Sequence, residues 1–390
     1  MINDLPLKII ADNRRKKAEV ALFCPVGDKN QLIEFLKVIR KLDYHDKIDC
    51  LFIYPRNFEI DPEDSIFDGL SIIHMEETLP IGTSGAFFCG SYFLYLENYN
   101  FIIIADIDAF PGSNDFLFFL LKEAKEKSMV ILPICKLNES TEEFISSISH
   151  WGIFPHFVFE KVGFYTPYMW RGAEDYDLMI RLNKNNLLDV NTDLFFYHPK
   201  TGYTIFHKMA EKKKFYPYVT GLMKVFLFHS ERDIFAVLKF FAWFMFYAFF
   251  GDAFSDRDIF MMLSKCNKFT TEYNFTDPIS KVEIKRIKET AAFQSSFFDK
   301  ILKEPKLLIS LLIFKKAHVY TDEIQLNITQ TELLLGIAKA FFLVPFRFIQ
   351  SIYTFMKWKD ERKKVVYPVT IHNIEEAIKI YKRFLTEKKL

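Results

Sequence analysis

The sequence predicts an α/β fold, with a mostly parallel sheet flanked by helices and a helical region after it. Three observations carry this. Short apolar runs closed by turn residues alternate with segments of helical spacing through the first 200 or so residues. Charge and composition change together near residue 205. Residues 1–204 hold 20 Lys and Arg against 30 Asp and Glu, whereas residues 205–390 hold 31 against 20. Finally, 390 residues at 50% apolar content predict two domains, or one large domain with an appendage, and ample material for a core.

The elements follow in order. Val20 to Cys24 is an apolar run stopped by Pro25 and is expected as a buried strand. Asn30 to Leu42 has helical spacing. Ile48 to Tyr54 is a second strand, Phe101 to Ala105 a third, and Met129 to Ile134 a fourth. A helix over Phe87 to Leu96 precedes the third strand, and Leu194 to Tyr197 forms another short strand. Strands alternating with helices give a largely parallel sheet. Charged residues at 26% exclude wholesale disorder. Cys24, Cys50, Cys89, Cys135 and Cys266 form no CxxC pair, so a zinc site or disulfide framework is not expected and a reducing compartment is.

The second half is basic and rich in Phe, of which the chain has 45. A basic surface suits an anionic partner, and the aromatic content favours a membrane over nucleic acid. Residues 234–250 are nearly all apolar, with Lys239 the single charge, and sit at the lower length limit for a span. Leu307 to Phe314 and Leu333 to Ile349 are short or interrupted by Lys339, Pro345 and Arg347. These stretches suit helices lying in the membrane interface, or the core of a buried helical subdomain. Lys212, Lys213 and Lys214 beside Phe215 and Tyr216 suit anionic headgroups, or a solvated basic face. The first twenty residues carry no secretory pattern and the final Lys-Lys-Leu no lipidation motif. A peripheral or monotopic protein on the cytoplasmic face of a membrane is the expectation, divided into residues 1–210 and 211–390.

Two motifs carry chemistry. Asp106 and Asp108 stand two residues apart directly after the apolar run Phe101 to Ala105. Ligands in open α/β sheets bind at the carboxyl ends of strands. Two carboxylates there repel unless something positive joins them, and a magnesium or manganese ion carrying a diphosphate is the natural occupant. Glu174, Asp175 and Asp177 open an amphipathic helix, where the helix dipole favours acids. Asp177 and Arg181 form an i, i+4 pair expected to be structural. Glu174 and Asp175 lie at the loop-to-helix edge, where a carboxylate can act as general base. His198 follows the run Leu194 to Tyr197, and a lone His is more often structural than a ligand.

Taken together, the order of elements resembles the family 2 glycosyltransferases of the GT-A fold, over roughly residues 18–210. The matching segments are Phe23-Cys-Pro25-Val-Gly-Asp28, Gly82-Thr-Ser-Gly85, the Asp106–Asp108 pair, Phe159-Glu-Lys-Val-Gly163-Phe, and an ED-x-D-L-x-x-R signature at Glu174, Asp175, Asp177, Leu178 and Arg181, with His198 beyond. The resemblance implies a mixed, mostly parallel sheet and inverting transfer of a sugar from a nucleotide-diphosphate donor to a hydroxyl. It implies a Mn2+ or Mg2+ site at Asp106, Asp108 and His198, and donor contacts at Pro25, Asp28, Gly85 and Asp106. Asp175 would be the catalytic base, with Trp170, Arg171 and Glu174 on the acceptor side; Trp170 suits the core equally well. Members that build lipid-linked glycans commonly carry apolar or amphipathic C-terminal helices, so the implied acceptor is lipid-linked or membrane-associated. One departure stands out. Members usually have an acid just after the second strand to recognise the base, but Leu51-Phe-Ile-Tyr54-Pro-Arg56-Asn57 reaches none before Glu59. The base contact then falls to Asp28, to backbone groups or to Asn57.

Other readings differ in class. A phosphatase with an aspartyl nucleophile also uses a strand followed by DxD, but normally near the start of a domain and with Thr or Val two residues after the second Asp; here Ala109 and Phe110 follow. A membrane-surface scaffold that has lost activity would have no reason to keep Asp106, Asp108, Asp175 and His198 together. A nucleotidyltransferase needs a Gly-, Arg- and Lys-rich loop, for which Pro25-Val-Gly-Asp-Lys29 is a poor substitute.

Overall fold

The structure is a computed structural model and describes residues 4–14, 16–136, 143–144, 148–169, 173–197, 221, 223–230, 232–238, 240–241, 316–319, 322–325 and 330–387. The chain divides into two compact units, Met1–Thr201 with Lys364–Leu390, and Gly202–Lys363. Residues 364–390 therefore belong with the first unit, although the sequence placed them with the region before them.

The first unit is built on a mixed sheet. Its strands are β1 (Leu7–Asp12), β2 (Val20–Pro25), β3 (Ile48–Tyr54), β4 (Ser71–Glu77), β5 (Phe101–Ile104), β6 (Phe110–Pro111), β7 (Val130–Lys136), β8 (Glu143–Phe144), β9 (Gly152–Pro155) and β10 (Leu188–Tyr197). Their order is β1-β4-β3-β2-β5-β9-β7-β10-β6, with β8 paired to β7. β4, β3, β2 and β5 run parallel, as do β7 and β10. β9 is antiparallel to both β5 and β7, and β1 and β6 close the edges antiparallel. β2 and β3 are apolar on both faces, as parallel strands covered on both sides must be. The one acid in β3, Asp49, is buried but satisfied: it accepts from Ala18 N at 2.9 Å, from Tyr99 Oη at 2.7 Å and from Ser71 Oγ.

The strand order reverses at β2. β3 and β4 lie on one side and β5 on the other, which opens a crevice at the carboxyl ends of β2 and β5. Backbone pairing continues to that edge through Ala105 N to Phe23 O at 2.9 Å and Val26 N to Ile53 O at 2.9 Å.

The helices of this unit are α1 (Lys29–Ile39), α2 (Gly82–Leu96), α3 (Phe116–Lys127), α4 (His156–Val162), α5 (Glu174–Lys184) and, after α6 (Gln330–Arg362) of the second unit, α7 (Ile374–Glu387). α2 starts at Gly82, five residues ahead of the expected Phe87. Gly82-Thr-Ser-Gly85 is a poor helix former, and burial overrides that local preference. α7 explains the burial. Its apolar stripe of Ile374, Ala377, Ile378, Tyr381 and Leu385 is turned inward. Tyr381 Oη donates to Ile81 O at 2.7 Å, and Tyr168 Oη donates to Ala377 O at 3.2 Å. Gly85 packs directly under Tyr381 Oη, so a methyl group there would collide with it. Gly85→Ala is accordingly expected to destabilise the protein by about 1–3 kcal/mol. Gly27→Ala, whose added methyl meets nothing, should change stability by less than about 0.5 kcal/mol. Paired urea melts check the contrast.

β10 also begins earlier than expected, at Leu188 rather than Leu194. A register shift lies between Asn191 and Phe195, where Asn191 Oδ1 accepts from the backbone N–H groups of Asp193 and Leu194 at 2.8 and 3.0 Å. This polar irregularity hides the first half of the strand from an apolar-run reading.

In the second unit, β11 (Lys316–Val319) and β12 (Asp322–Gln325) form an antiparallel pair. α6 contains Pro345. Near its end Arg362 pairs with Asp233 at 3.1 Å and donates to Leu227 O at 3.0 Å, and the Lys224 ammonium sits 3.7 Å from the Trp358 ring centroid. No helix among the described residues is long and apolar enough to cross a membrane. The expected helices over 234–250 and 307–314 lie wholly or partly outside those residues, as do Lys212, Lys213 and Lys214.

Candidate active site

Asp106 and Asp108 occupy the turn directly after β5, at the crevice edge. Both are half-buried. Cys24, the last buried residue of β2, lies beneath them: burial first, then the Asp106 and Asp108 charges, push its thiol well above the usual range. It is unreactive as a nucleophile for that reason. The four described cysteines, Cys24, Cys50, Cys89 and Cys135, are free and buried, and Cys266 lies outside the described residues.

Asp106 has a partner the sequence did not suggest. His150 Nε2 lies 2.8 Å from Asp106 Oδ2. Burial pulls the His150 pKa down. The bond to Asp106, with the Asp175 and Asp108 charges behind it, outweighs that and holds the imidazole above its usual range. Its ring also packs 5.7 Å from Phe196 of β10.

The acids of α5 divide by environment. Asp177 is fully buried and structural. It pairs with Arg181 at 2.8 Å and accepts from Thr166 Oγ1 at 2.6 Å and Tyr367 Oη at 2.7 Å. Arg181 in turn donates to Phe164 O at 2.8 Å and to Val162 O. Glu174 is only 4% exposed and accepts from Ser84 Oγ in the first turn of α2 at 3.1 Å. Burial, and then the charge of Asp175, drive its pKa well above the ordinary carboxylate range. It is thus a neutral acid near pH 7. Asp175 is half-buried, with its Oδ1 turned inward, and its Oδ2 accepts from Ser149 Oγ at 3.0 Å. Tyr165, stacked on Phe87 at 5.2 Å, is fully buried near Asp175, Glu174 and Asp106, and burial followed by those charges pushes its phenol well up.

The remaining expected residues are placed as follows. Pro25 ends β2 at the crevice and is half-buried. Asp28 is exposed and caps α1, its carboxylate accepting from Gln31 N at 2.9 Å. Gly85 is buried in the α2–α7 packing. Asn57, at a positive φ of 62°, donates its N–H to Glu76 at 2.9 Å. His198, Trp170 and Arg171 lie outside the described residues. The site thus joins Asp106, Asp108, Asp175, Glu174 and Pro25. Ser149 and His150 were missed. Their only signal is a Ser-His-Trp-Gly ahead of the short run Ile153-Phe-Pro155, which is too common a pattern to stand out.

Among the described residues no group of three His, Cys, Asp or Glu is placed to hold a metal ion alone. The donor set still fits a divalent cation of one kind. Asp106 and Asp108 offer hard oxygen ligands at a partly open edge, the Asp106 side chain being 35% exposed. Magnesium is typically held by one or two carboxylates with substrate phosphates completing the shell. The pair fits an ion that arrives with a diphosphate, and not a permanent structural ion.

No protein-family model and no curated protein sequence matches the chain. Among solved structures it is similar to a Pyrobaculum calidifontis mannosyltransferase in complex with GDP-Man and Mn2+, at 13% identity over 89% of each chain and a TM-score of 0.42. It is also similar to S. aureus TarS residues 1–349 in complex with UDP, at 12% identity over 80% of this chain and 97% of that one, with a TM-score of 0.40. A third likeness is to GalNAc-T7 with UDP, GalNAc and Mn2+, at 10% identity over 75% of this chain and 58% of that one, with a TM-score of 0.42.

Proposed function

We propose that the chain is a metal-dependent inverting glycosyltransferase of the GT-A type, moving a sugar from a nucleotide-diphosphate donor to a hydroxyl of a lipid-linked or membrane-associated glycan. One observation carries the reading. Two half-buried carboxylates sit at the topological switch point between β2 and β5, and a third, Asp175, is tethered beside them through the turn that also holds Asp106.

Each residue then has a task. Asp106 and Asp108, joined by His198, would hold the cation of the donor. A divalent ion, when bound, neutralises charge that develops on the departing diphosphate. Asp175 takes the proton of the acceptor hydroxyl as it attacks the anomeric carbon. Glu174, protonated and bonded to Ser84, would add no second charge to compete for that proton, and the resemblance assigns it to the acceptor side together with Trp170 and Arg171. Pro25 and Asp28 border the donor pocket. A phosphatase using Asp106 as nucleophile is less well supported, since Ala109 and Phe110 follow Asp108 where that class carries Thr or Val.

The test is calorimetric titration with GDP and UDP, each with and without manganese. Metal-dependent binding of one nucleotide supports the donor site, and no binding of either overturns it.

Membrane association belongs to the same proposal. On α6, Phe342, Phe346, Ile349, Tyr353 and Met356 are all exposed and recur every three or four residues, which makes one apolar face. Lys357, Lys359, Arg362 and Lys363 cluster at its end. Such a helix suits the interface of an anionic leaflet. Full-length protein should float with vesicles containing phosphatidylserine. Phe342→Asp with Phe346→Asp should cut binding by roughly tenfold or more. Undiminished flotation of that variant would remove α6 from the contact.

A further inference from the structure

Three consecutive residues reach three separate parts of the site. Ser149 Oγ donates to Asp175 Oδ2 at 3.0 Å, His150 Nε2 lies 2.8 Å from Asp106 Oδ2, and Trp151 Nε1 donates to Ala109 O, just past Asp108, at 2.9 Å. The turn holding them is rigid by construction. It leads straight into β9, which pairs antiparallel with β5 through Ile103↔Ile153 and Ile104↔Gly152. Trp151 has no exposure, stacks on Phe35 at 5.8 Å and meets Phe116 edge-on at 5.4 Å. Ser149 is buried as well. Trp151 adopts φ 63°, a left-handed backbone that is unfavourable for a bulky residue and persists only where its surroundings impose it.

We propose that Ser149-His150-Trp151 is a positioning turn, which fixes the separation and orientation of the general base and the cation-binding carboxylates as one piece. The inference rests on the functional reading above. Its physical basis is the mutual repulsion of Asp106, Asp108 and Asp175. Without donors from a common scaffold, these carboxylates would spread into rotamers that face apart. Ser149 acts through Asp175 and should affect turnover. His150 acts through Asp106 and should affect donor binding. Neither needs to touch substrate.

The experiment is a set of variants titrated with manganese and the nucleotide, GDP or UDP, that the wild type binds. His150→Ala should weaken manganese-dependent binding by about tenfold, the scale of losing an outer-shell partner. In an Asp106→Asn background the same change should alter binding by less than about twofold, because the contact it removes is already impaired. Ser149→Ala should keep nucleotide affinity within about twofold while lowering turnover of the corresponding nucleotide sugar about tenfold, and Ser149→Thr should restore it. A His150→Ala effect of equal size in both backgrounds would mean a general structural loss and overturn the proposal. So would a Ser149→Ala variant with wild-type turnover. A wild type that binds neither nucleotide would remove the functional reading and the proposal together, whereas a binding wild type with unaltered variants removes the proposal alone.

Discussion

Asp175→Asn should reduce sugar transfer by about 10²–10⁴-fold, the contribution typical of a positioned general base, while manganese-dependent nucleotide binding stays within about threefold of wild type. The amide is nearly isosteric and its oxygen still accepts from Ser149 Oγ, so the turn and α5 remain in place. What is lost is the capacity to take a proton. The neighbouring Glu174→Gln is the contrast. Glu174 is already uncharged near neutrality, because burial and then Asp175 hold its pKa well up, and an amide reproduces that state and keeps an oxygen for Ser84. It should therefore cost less than about tenfold in turnover. The sign of its effect on stability also follows. A carboxyl whose pKa is raised by folding favours the native state fully below its unfolded value, near 4.5, and that contribution is lost as pH rises through the native value. Glu174→Gln should abolish the loss and flatten a stability profile between about pH 4.5 and about 8. Single-turnover assays alongside nucleotide titrations separate the two variants. Full activity in Asp175→Asn would require another base.

Asp108→Asn should act on binding, weakening the manganese-dependent nucleotide complex on the order of 100-fold or more, since losing a direct ligand costs at least as much as losing an outer-shell partner. Without metal the effect should be small. Asp106, Asp108 and Asp175 surround His150 and together hold its imidazole above its usual range, so removing one charge weakens that attraction as it relieves repulsion between the carboxylates. Melting temperature without metal should stay within about 4 °C of wild type while nucleotide affinity falls. Thermal melts with and without manganese and nucleotide measure both. A variant with unchanged binding would place the cation elsewhere.

The parts of this fold visible in the sequence were those decided by local chemistry. β2, β3 and β5 announce themselves because parallel central strands are apolar on both faces. The place of Asp106 and Asp108 at the end of β5 was legible because the apolar run before them marks the strand. β1 and β4 were missed, since Leu7–Asp12 is mostly exposed and Ser71–Glu77 is interrupted by His74 and two glutamates. β9 was missed because four residues make too short a run. The contacts of Ser149 and His150 depend on the β5–β9 register, a tertiary fact with no local trace. The same holds for Glu174, whose neutrality comes from burial against α2 and not from its place in an acidic run.

The return of residues 364–390 to the first unit has a consequence for how the protein is made. α7 covers Gly85 and the start of α2, yet residues 202–363 must be translated between Thr201 and Lys364. At about 5–20 residues per second, this interval lasts on the order of ten to thirty seconds. Throughout it, the nascent sheet domain presents an unsealed apolar helix, the kind of surface that chaperones hold and that aggregates when they do not. A fragment ending near residue 210, which lacks α7, would remain in that state permanently. Only an expression design that keeps residues 364–390 with the sheet supplies the helix that covers it.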